Sequence, residues 1–229
     1  MTSASNTPPR SWWNRENRPY TQAELLADGI VHVVGLLVAV AAGSALLALA
    51  AFKTAPELLP SLFVYVGSLI AVLSASLAYN LWPVTPIKRL LARLDQAAIF
   101  LFIAGTYTPL LALLGGTVVG DLMMTCVWGA SLVGVALKLI VPQRFGRMAI
   151  PLYLAIGWSG VVVFQMLATT LPASTLWLLV AGGIVYSLGI IFHLWEKLHF
   201  QNVLWHVFVV LGATLHLCAI FDCIVISRL

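Results

Sequence analysis

Acidic, amide and imidazole side chains occur at four-residue spacing where long apolar segments begin or end. The spaced pairs are residues 24/28, 28/32, 76/80 and 202/206, and Asp95 with Gln96 begins a further apolar segment. Residues four apart share one face of a helix. Polar groups are costly in apolar surroundings, so each is a candidate functional residue. We therefore expect one polar cluster, consisting of Asp28, His32, Ser76, Asn80, Asp95, Gln96, Asn202 and His206.

Several of these residues also have structural interpretations. The pattern T-x-x-E that ends at Glu24 is a capping box, which assigns Glu24 to the start of a helix. An aspartate near a helix N-terminus, such as Asp28 or Asp95, is favoured by the helix dipole. Ser76 and Asn80 are suited to hydrogen bonds between helices. One shared site explains the common position at one end of four helices better than separate structural roles do.

Zinc binding is one chemistry that such a cluster allows, because three protein ligands and a water molecule make a catalytic zinc site. The candidate ligands are His206, Asp95 and either His32 or Asp28. The amide side chains of the cluster bring neither an imidazole nitrogen nor a negative charge, which makes them poor ligands. The residue types alone therefore allow zinc without favouring it.

The composition excludes an ordinary soluble protein. Of the 229 residues, 61% are apolar and 9% are charged, whereas soluble domains average about 25% charged residues. A chain this apolar is not disordered, and three cysteines do not make a secreted disulfide scaffold. Continuously apolar segments also differ from the alternating pattern of a membrane barrel. The fold class that remains is an all-α integral membrane protein.

The apolar segments predict a bundle of seven transmembrane helices, since about 20 apolar residues span a bilayer. We expect residues 1–20 to form a polar tail without a signal peptide, and residues 21–229 to form a single membrane domain. A polar stretch around Pro172 divides the longest apolar region into two spans. The expected spans are residues 30–51, 61–82, 97–114, 122–140, 148–168, 175–195 and 202–226.

The distribution of basic residues predicts the orientation of the bundle. Ten of the 12 Lys and Arg residues lie on the side of the N-terminus, while Lys53 and Arg228 lie on the other side. This bias predicts a cytoplasmic N-terminus and an external C-terminus, and it explains the net charge of +4 without nucleic-acid binding. Residues 87–94 have a basic face opposite an apolar stripe. This pattern indicates either a short interfacial helix on anionic lipid or only further basic residues that set the orientation of the bundle in the membrane.

Short motifs surround the polar residues along the chain. They are ELLADGIVHVVG at 24–35, SLAYN at 76–80, LDQAAI at 94–99, AGTYTP at 104–109, WHVFV at 205–209 and LH at 215–216. With these motifs the sequence resembles the hemolysin III group of the progestin and adipoQ receptor family. The likeness covers essentially the whole chain after residue 20. It implies seven spans with a cytoplasmic N-terminus, in a bacterial cytoplasmic membrane.

The resemblance also implies a zinc site, made of one histidine on helix two and two on helix seven. Related receptors and ceramidases look like zinc-dependent amide hydrolases of lipids, in which the metal activates water. This chain has Asn80 and Asn202 at two ligand positions, so that only His206 matches a family metal ligand. Gln96 stands where the bacterial pattern has histidine. We expect the amides to keep the hydrogen bonding and to lose the metal.

Three functions compete on this evidence. The replaced ligands favour a non-catalytic membrane protein that acts in membrane or lipid homeostasis, with membrane lipids as partners and no cofactor. The first alternative is a zinc-dependent hydrolase of membrane lipid amides. The second alternative is a conduit for protons or solutes, or a cytolytic pore. The apolar outer halves of the spans argue against a wide pore, because they contain no continuous polar stripe.

Overall fold

A computed structural model describes residues 21–53, 58–83, 85–145, 148–195 and 197–228 of the chain. In these ranges the structure contains helices and no strands, and seven helical segments are long and apolar enough to cross a membrane. The predicted all-α integral membrane fold with seven spans is therefore confirmed. The spans are α1 (Gln22–Lys53), α2 (Leu59–Leu81), α3 (Pro86–Ala112), α4 (Val118–Ile140), α5 (Ala149–Thr170), α6 (Ala173–Leu194) and α7 (Gln201–Ile224).

Two helices begin well before the predicted spans. α1 begins at Gln22 and α3 begins at Pro86, whereas the apolar segments begin at residues 30 and 97. Residues 87–94 do not form a separate interfacial helix, because they are the first turns of α3. Their apolar side chains Ile87, Leu90 and Leu94 are exposed. Hydropathy marks the lipid-embedded part of a helix, but the backbone stays helical through charged turns outside that part.

The start of α1 has the predicted capping box. The backbone N–H of Thr21 donates to Oε2 of Glu24 at 2.9 Å, and the backbone N–H of Glu24 donates to Oγ1 of Thr21 at 3.2 Å. These reciprocal bonds satisfy two backbone donors that the first helical turn would otherwise leave unpaired. The predicted structural role of Glu24 is therefore confirmed.

The fifth span is interrupted within the membrane. Its two helices, Ala149–Gly157 and Phe164–Thr170, are joined by a 3₁₀ segment at Ser159–Val163. Backbone groups released by such a break must find new partners, since lipid offers none. The hydroxyl of Tyr107 in α3 donates to the carbonyl of Gly157 at 2.7 Å and accepts from the N–H of Gly160 at 2.7 Å. One side chain of α3 thus holds the break of α5 in place.

Each helix ends on one of two faces of the bundle. We call the face at which α1, α3, α5 and α7 begin and α2, α4 and α6 end the polar end, because the predicted polar residues lie there. α7 packs against α6 and α1, and α2 packs against α3 and α1. Toward the opposite end, the interior of the bundle is apolar and fully buried around Leu46, Leu62, Leu69, Ile220 and Ile224. This packing brings the polar turns of α1, α2 and α7 close together.

The contact between α3 and α4 depends on a glycine. A Cβ atom added at Gly134 would stand 2.5 Å from Cε1 of Phe100, which is fully buried. The Phe100 ring is itself packed against Tyr153, with ring centroids 4.4 Å apart. Small residues let membrane helices approach closely, and here the neighbouring ring has little room to move.

We predict that Gly134→Ala destabilises the bundle by about 1–3 kcal/mol, the usual cost of overpacking a core. Gly129→Ala on the same helix is the matched control, because a Cβ atom there meets nothing within 4 Å. Reversible unfolding in mixed micelles measures both variants. Equal stability of the two variants would contradict the close approach of α3 and α4.

Candidate functional site

A buried carboxylate at the polar end joins α1 to α7. Oδ1 of Asp28 lies 2.6 Å from Nδ1 of His206, and Oδ2 accepts a hydrogen bond from Nδ2 of Asn202 at 3.2 Å. Asp28 is only 3% exposed. An ionised carboxylate can only accept, so Nδ1 of His206 is the donor in this pair. Such charge-assisted bonds are among the stronger ones in proteins.

Two asparagines join α2 to α7. Nδ2 of Asn202 donates to Oδ1 of Asn80 at 3.0 Å, and Nδ2 of Asn80 donates to the backbone carbonyl of Ser76 at 2.9 Å. The amide of Asn202 therefore contacts both Asn80 and the carboxylate of Asp28. Through this one side chain, α1, α2 and α7 are connected.

A histidine joins α1 to α2. Nδ1 of His32 lies 2.8 Å from the backbone carbonyl of Asp28, and Nε2 lies 3.0 Å from the hydroxyl of Ser76. A carbonyl only accepts, so Nδ1 is the donor and Nε2 accepts from Ser76. His32 is 1% exposed, and its ring centroid lies 4.2 Å from that of His206.

The structure thus brings six of the eight predicted cluster residues into one closed circuit of hydrogen bonds, which we call the polar network. Its links run from α1 to α7, from α7 to α2, and from α2 back to α1. The members are Asp28, His32, Ser76, Asn80, Asn202 and His206.

The other two predicted residues lie across the site on α3. Asp95 is half-buried and lies near Ser76 and His206. Gln96 accepts a hydrogen bond at 2.6 Å from Nζ of Lys138, a fully buried lysine of α4. Sequence reasoning missed Lys138 as a site residue, because a lysine at the end of a span was interpreted as one of the basic residues that set the membrane orientation. Its position two residues before the helix end, inside the apolar span, was the only available signal.

Glu24 has a second role that the capping box does not reveal. Its Oε1 accepts a hydrogen bond at 3.1 Å from the backbone N–H of Phe200, the residue that precedes α7. Phe200 has a left-handed backbone with φ of 56°. Glu24 therefore joins the start of α1 to the start of α7. This bond helps to position the first turns of α7, which contain Asn202 and His206, along the bundle axis.

The polar network opens onto a cavity of about 280 Å³ inside the bundle. At the polar end Asp28, Asn80, Asp95, Gln96, Lys138, Asn202 and His206 line it. Farther in, α2, α3 and α7 contribute apolar walls through Val72, Leu73, Ile99, Phe102, Ile103 and Val209, and α5 and α6 complete the lining. His216 lies at the inner end, on the same side of α7 as His206.

The donor set gives a direct test of zinc binding. One ligand atom from each of Asp28, His32 and His206 lies within 4.8 Å of the others. Two ligands on a tetrahedral zinc ion at its usual bond lengths are ~3.3 Å apart, yet the carboxylate of Asp28 and Nδ1 of His206 are 2.6 Å apart. Both ring nitrogens of His32 are engaged in hydrogen bonds. As arranged, Oδ1 of Asp28 and Nδ1 of His206 are too close together to be two ligands of one zinc ion, and His32 could become a ligand only by giving up one of its hydrogen bonds.

We predict that Asn80 and Asn202 are energetically coupled. In a double-mutant cycle with Asn80→Ala and Asn202→Ala, the interaction energy should be about 0.6 kcal/mol, typical of hydrogen bonds between membrane helices. Thr125→Ala on the exposed side of α4 is the control, and it should combine additively with Asn80→Ala. Unfolding in mixed micelles provides the energies, and additivity of the two asparagine variants would contradict the link.

Comparisons with known proteins agree with this architecture. A family profile described as Haemolysin-III related matches residues 22–217. The chain is 34% identical over 208 residues to the Hemolysin-3 homolog of Bacillus subtilis (strain 168), covering 90% of this chain and 97% of that protein. It is 32% identical over 200 residues to Hemolysin-3 of Bacillus cereus, covering 86% and 91%.

A human protein shows a more distant likeness. The chain is 27% identical over 128 residues to the Monocyte to macrophage differentiation factor of Homo sapiens, covering 56% of this chain and 52% of that protein. No solved structure matches at a significant level. The family match over most of the chain, together with the seven membrane-spanning helices, confirms the resemblance deduced from the motifs: this chain belongs to the haemolysin III-related family of integral membrane proteins.

Proposed function

We propose that this protein acts in membrane lipid homeostasis by binding a single-chain amphiphile, and that it does so without a metal. The observation that carries this proposal is the cavity, which leads from the polar network into the apolar interior of the bundle. A site with convergent polar groups at one end and apolar walls beyond them is typical of pockets for small amphipathic ligands.

The polar end of the cavity suits a neutral headgroup with both donors and acceptors. Nε2 of His206 has no hydrogen-bond partner among the described residues, and its ring lines the cavity. Across from it, Lys138 and Gln96 contribute an ammonium group and an amide. The carboxylate of Asp28 already accepts hydrogen bonds from His206 and Asn202. An amide or hydroxyl headgroup matches this mixture better than a second negative charge does.

The inner walls suit an acyl chain. Side chains such as Phe102, Ile103 and Val209 offer apolar surface, and each buried CH₂ group of a ligand contributes roughly 0.8 kcal/mol. The cavity volume of about 280 Å³ is close to the lower end of ligand pockets, roughly 300 Å³. It accommodates a single chain rather than a complete diacyl lipid.

A hydrolase or a pore has less support. Asp28, Nδ1 of His206 and both ring nitrogens of His32 are engaged in hydrogen bonds, so zinc binding by these atoms would require those bonds to break. The idea of a cytolytic pore comes from the name Hemolysin-3, and that name belongs to the Bacillus cereus relative. In this chain, the part that the structure describes has a fully buried apolar layer around Leu46, Leu62 and Ile220, which is unlike the wall of an aqueous channel.

The basic residues support an orientation for the site. Lys88, Arg89 and Lys197 lie at the polar end of the bundle, and an excess of basic residues favours the cytoplasmic side. We therefore place the mouth of the cavity at the cytoplasmic face of a bacterial cytoplasmic membrane. A lipid that reaches the site would then come from the inner leaflet.

We predict that Val209→Phe, which fills the cavity, weakens amphiphile binding roughly tenfold or more, because overpacking costs about 1–3 kcal/mol. Val207→Phe is the matched control, since Val207 lies two residues away on the outer face of α7 and is exposed. Equilibrium binding of radiolabelled palmitoyl ethanolamide to the purified proteins measures the effect. Equal binding by the two variants, or no binding by the unmodified protein, would contradict the proposal.

A further inference from the structure

The inner end of the cavity contains polar rings, although the walls around it are apolar. His216 of α7 and Tyr186 of α6 both line the cavity, and their ring centroids lie 5.4 Å apart. Glycines make room for both rings. A Cβ atom at Gly182 would stand 2.5 Å from Cδ2 of His216, and one at Gly212 would stand 2.9 Å from Cε1 of Tyr186. The two rings are therefore held in place by the close approach of α6 and α7.

The tautomer of His216 is determined by its neighbour. Nε2 lies 3.2 Å from the backbone carbonyl of Leu179. A carbonyl can only accept a hydrogen bond, so Nε2 carries the proton and Nδ1 presents a lone pair. Nδ1 has no hydrogen-bond partner within the described part of the chain. His216 thus offers an acceptor on the wall of the cavity.

Tyr186 offers a donor beside it. Its hydroxyl oxygen is buried and has no hydrogen-bond partner among the described residues. A buried hydroxyl without a partner is unfavourable, and this holds most strongly inside a membrane, where lipid supplies no substitute. Such groups are usually satisfied by a bound water or by a ligand.

We propose that the inner end of the cavity is a second polar subsite, which binds one hydroxyl group. The hydroxyl donates its proton to Nδ1 of His216 and accepts a hydrogen bond from the phenol of Tyr186. A carbonyl cannot fill both roles, because it has no proton for His216. The hydroxyl comes either from a water molecule or from the chain of the bound amphiphile, and the second source rests on the proposed lipid-binding function.

Infrared spectroscopy of tyrosine tests the subsite directly. The difference spectrum between the unmodified protein and Tyr186→Phe isolates the phenol of residue 186, whose C–O stretch reports hydrogen bonding. Three samples are needed: delipidated protein in detergent, protein with palmitoyl ethanolamide, and protein with its analogues hydroxylated along the chain. Tyr153→Phe is the matched control, since the phenol of Tyr153 also lines the cavity but already donates to the carbonyl of Gln96 at 2.7 Å.

The three samples distinguish the two sources. A hydrogen-bonded phenol in delipidated protein, unchanged by either lipid, identifies water as the occupant. A phenol that becomes hydrogen-bonded only with a hydroxylated chain identifies the lipid. In that case one hydroxylated analogue should bind roughly two- to tenfold more tightly than the parent. Tyr186→Phe should lose this preference and Tyr153→Phe should keep it.

A phenol of Tyr186 that stays free of hydrogen bonds in all three samples overturns the subsite. This result is separate from a failure of the proposed function. If palmitoyl ethanolamide binds but the phenol remains free, the cavity binds lipid and the subsite is wrong. If neither lipid binds, lipid binding is wrong, and the spectrum of the delipidated protein still decides whether water occupies the subsite.

Discussion

The carboxylate of Asp28 is the group on which the polar end of this bundle depends. It lies on α1, it is buried, and both of its oxygens accept hydrogen bonds from α7, through His206 and Asn202. A buried charge is tolerated only when it is paired and hydrogen-bonded. The positions of α1 and α7 are therefore fixed relative to each other, and the remaining links to α2 follow through Asn80, Ser76 and His32. The polar end of the cavity lies beside this network.

We propose that the network takes the place of the zinc site that the resemblance implies. In the family pattern a metal would connect helix two with helix seven, whereas here a hydrogen bond of 3.0 Å between Asn80 and Asn202 connects the same two helices. An amide pair retains the connection but supplies no activated water. A metal centre would both hold the helices together and supply hydrolytic chemistry. A pair of amides can do only the first of these. The walls of the cavity do not depend on a metal, which is compatible with the proposed binding of a lipid.

Periodicity and composition predicted the fold and most of the polar network. Spans of about 20 apolar residues and pairs such as 28/32, 76/80 and 202/206 are local patterns, so they can be recognised along the chain. Features that depend on contacts between distant segments could not be predicted. They include the role of Lys138 beside Gln96, the bond from Phe200 to Glu24, and the break of α5 that Tyr107 stabilises. The early start of α3 was missed because hydropathy reports the surrounding solvent rather than the backbone conformation, whereas the capping box at Glu24 had indicated the start of α1.

Metal analysis tests most directly whether hydrogen bonds have replaced the metal. The unmodified protein and the double variant Asn80→His/Asn202→His are purified in parallel, dialysed against zinc, and measured by mass spectrometry and by competition with a chelator. The account predicts far less than one zinc per chain in the unmodified protein, unchanged by His206→Ala, and tight binding of one zinc in the double variant. One zinc per chain in the unmodified protein, lost on His206→Ala, would contradict it.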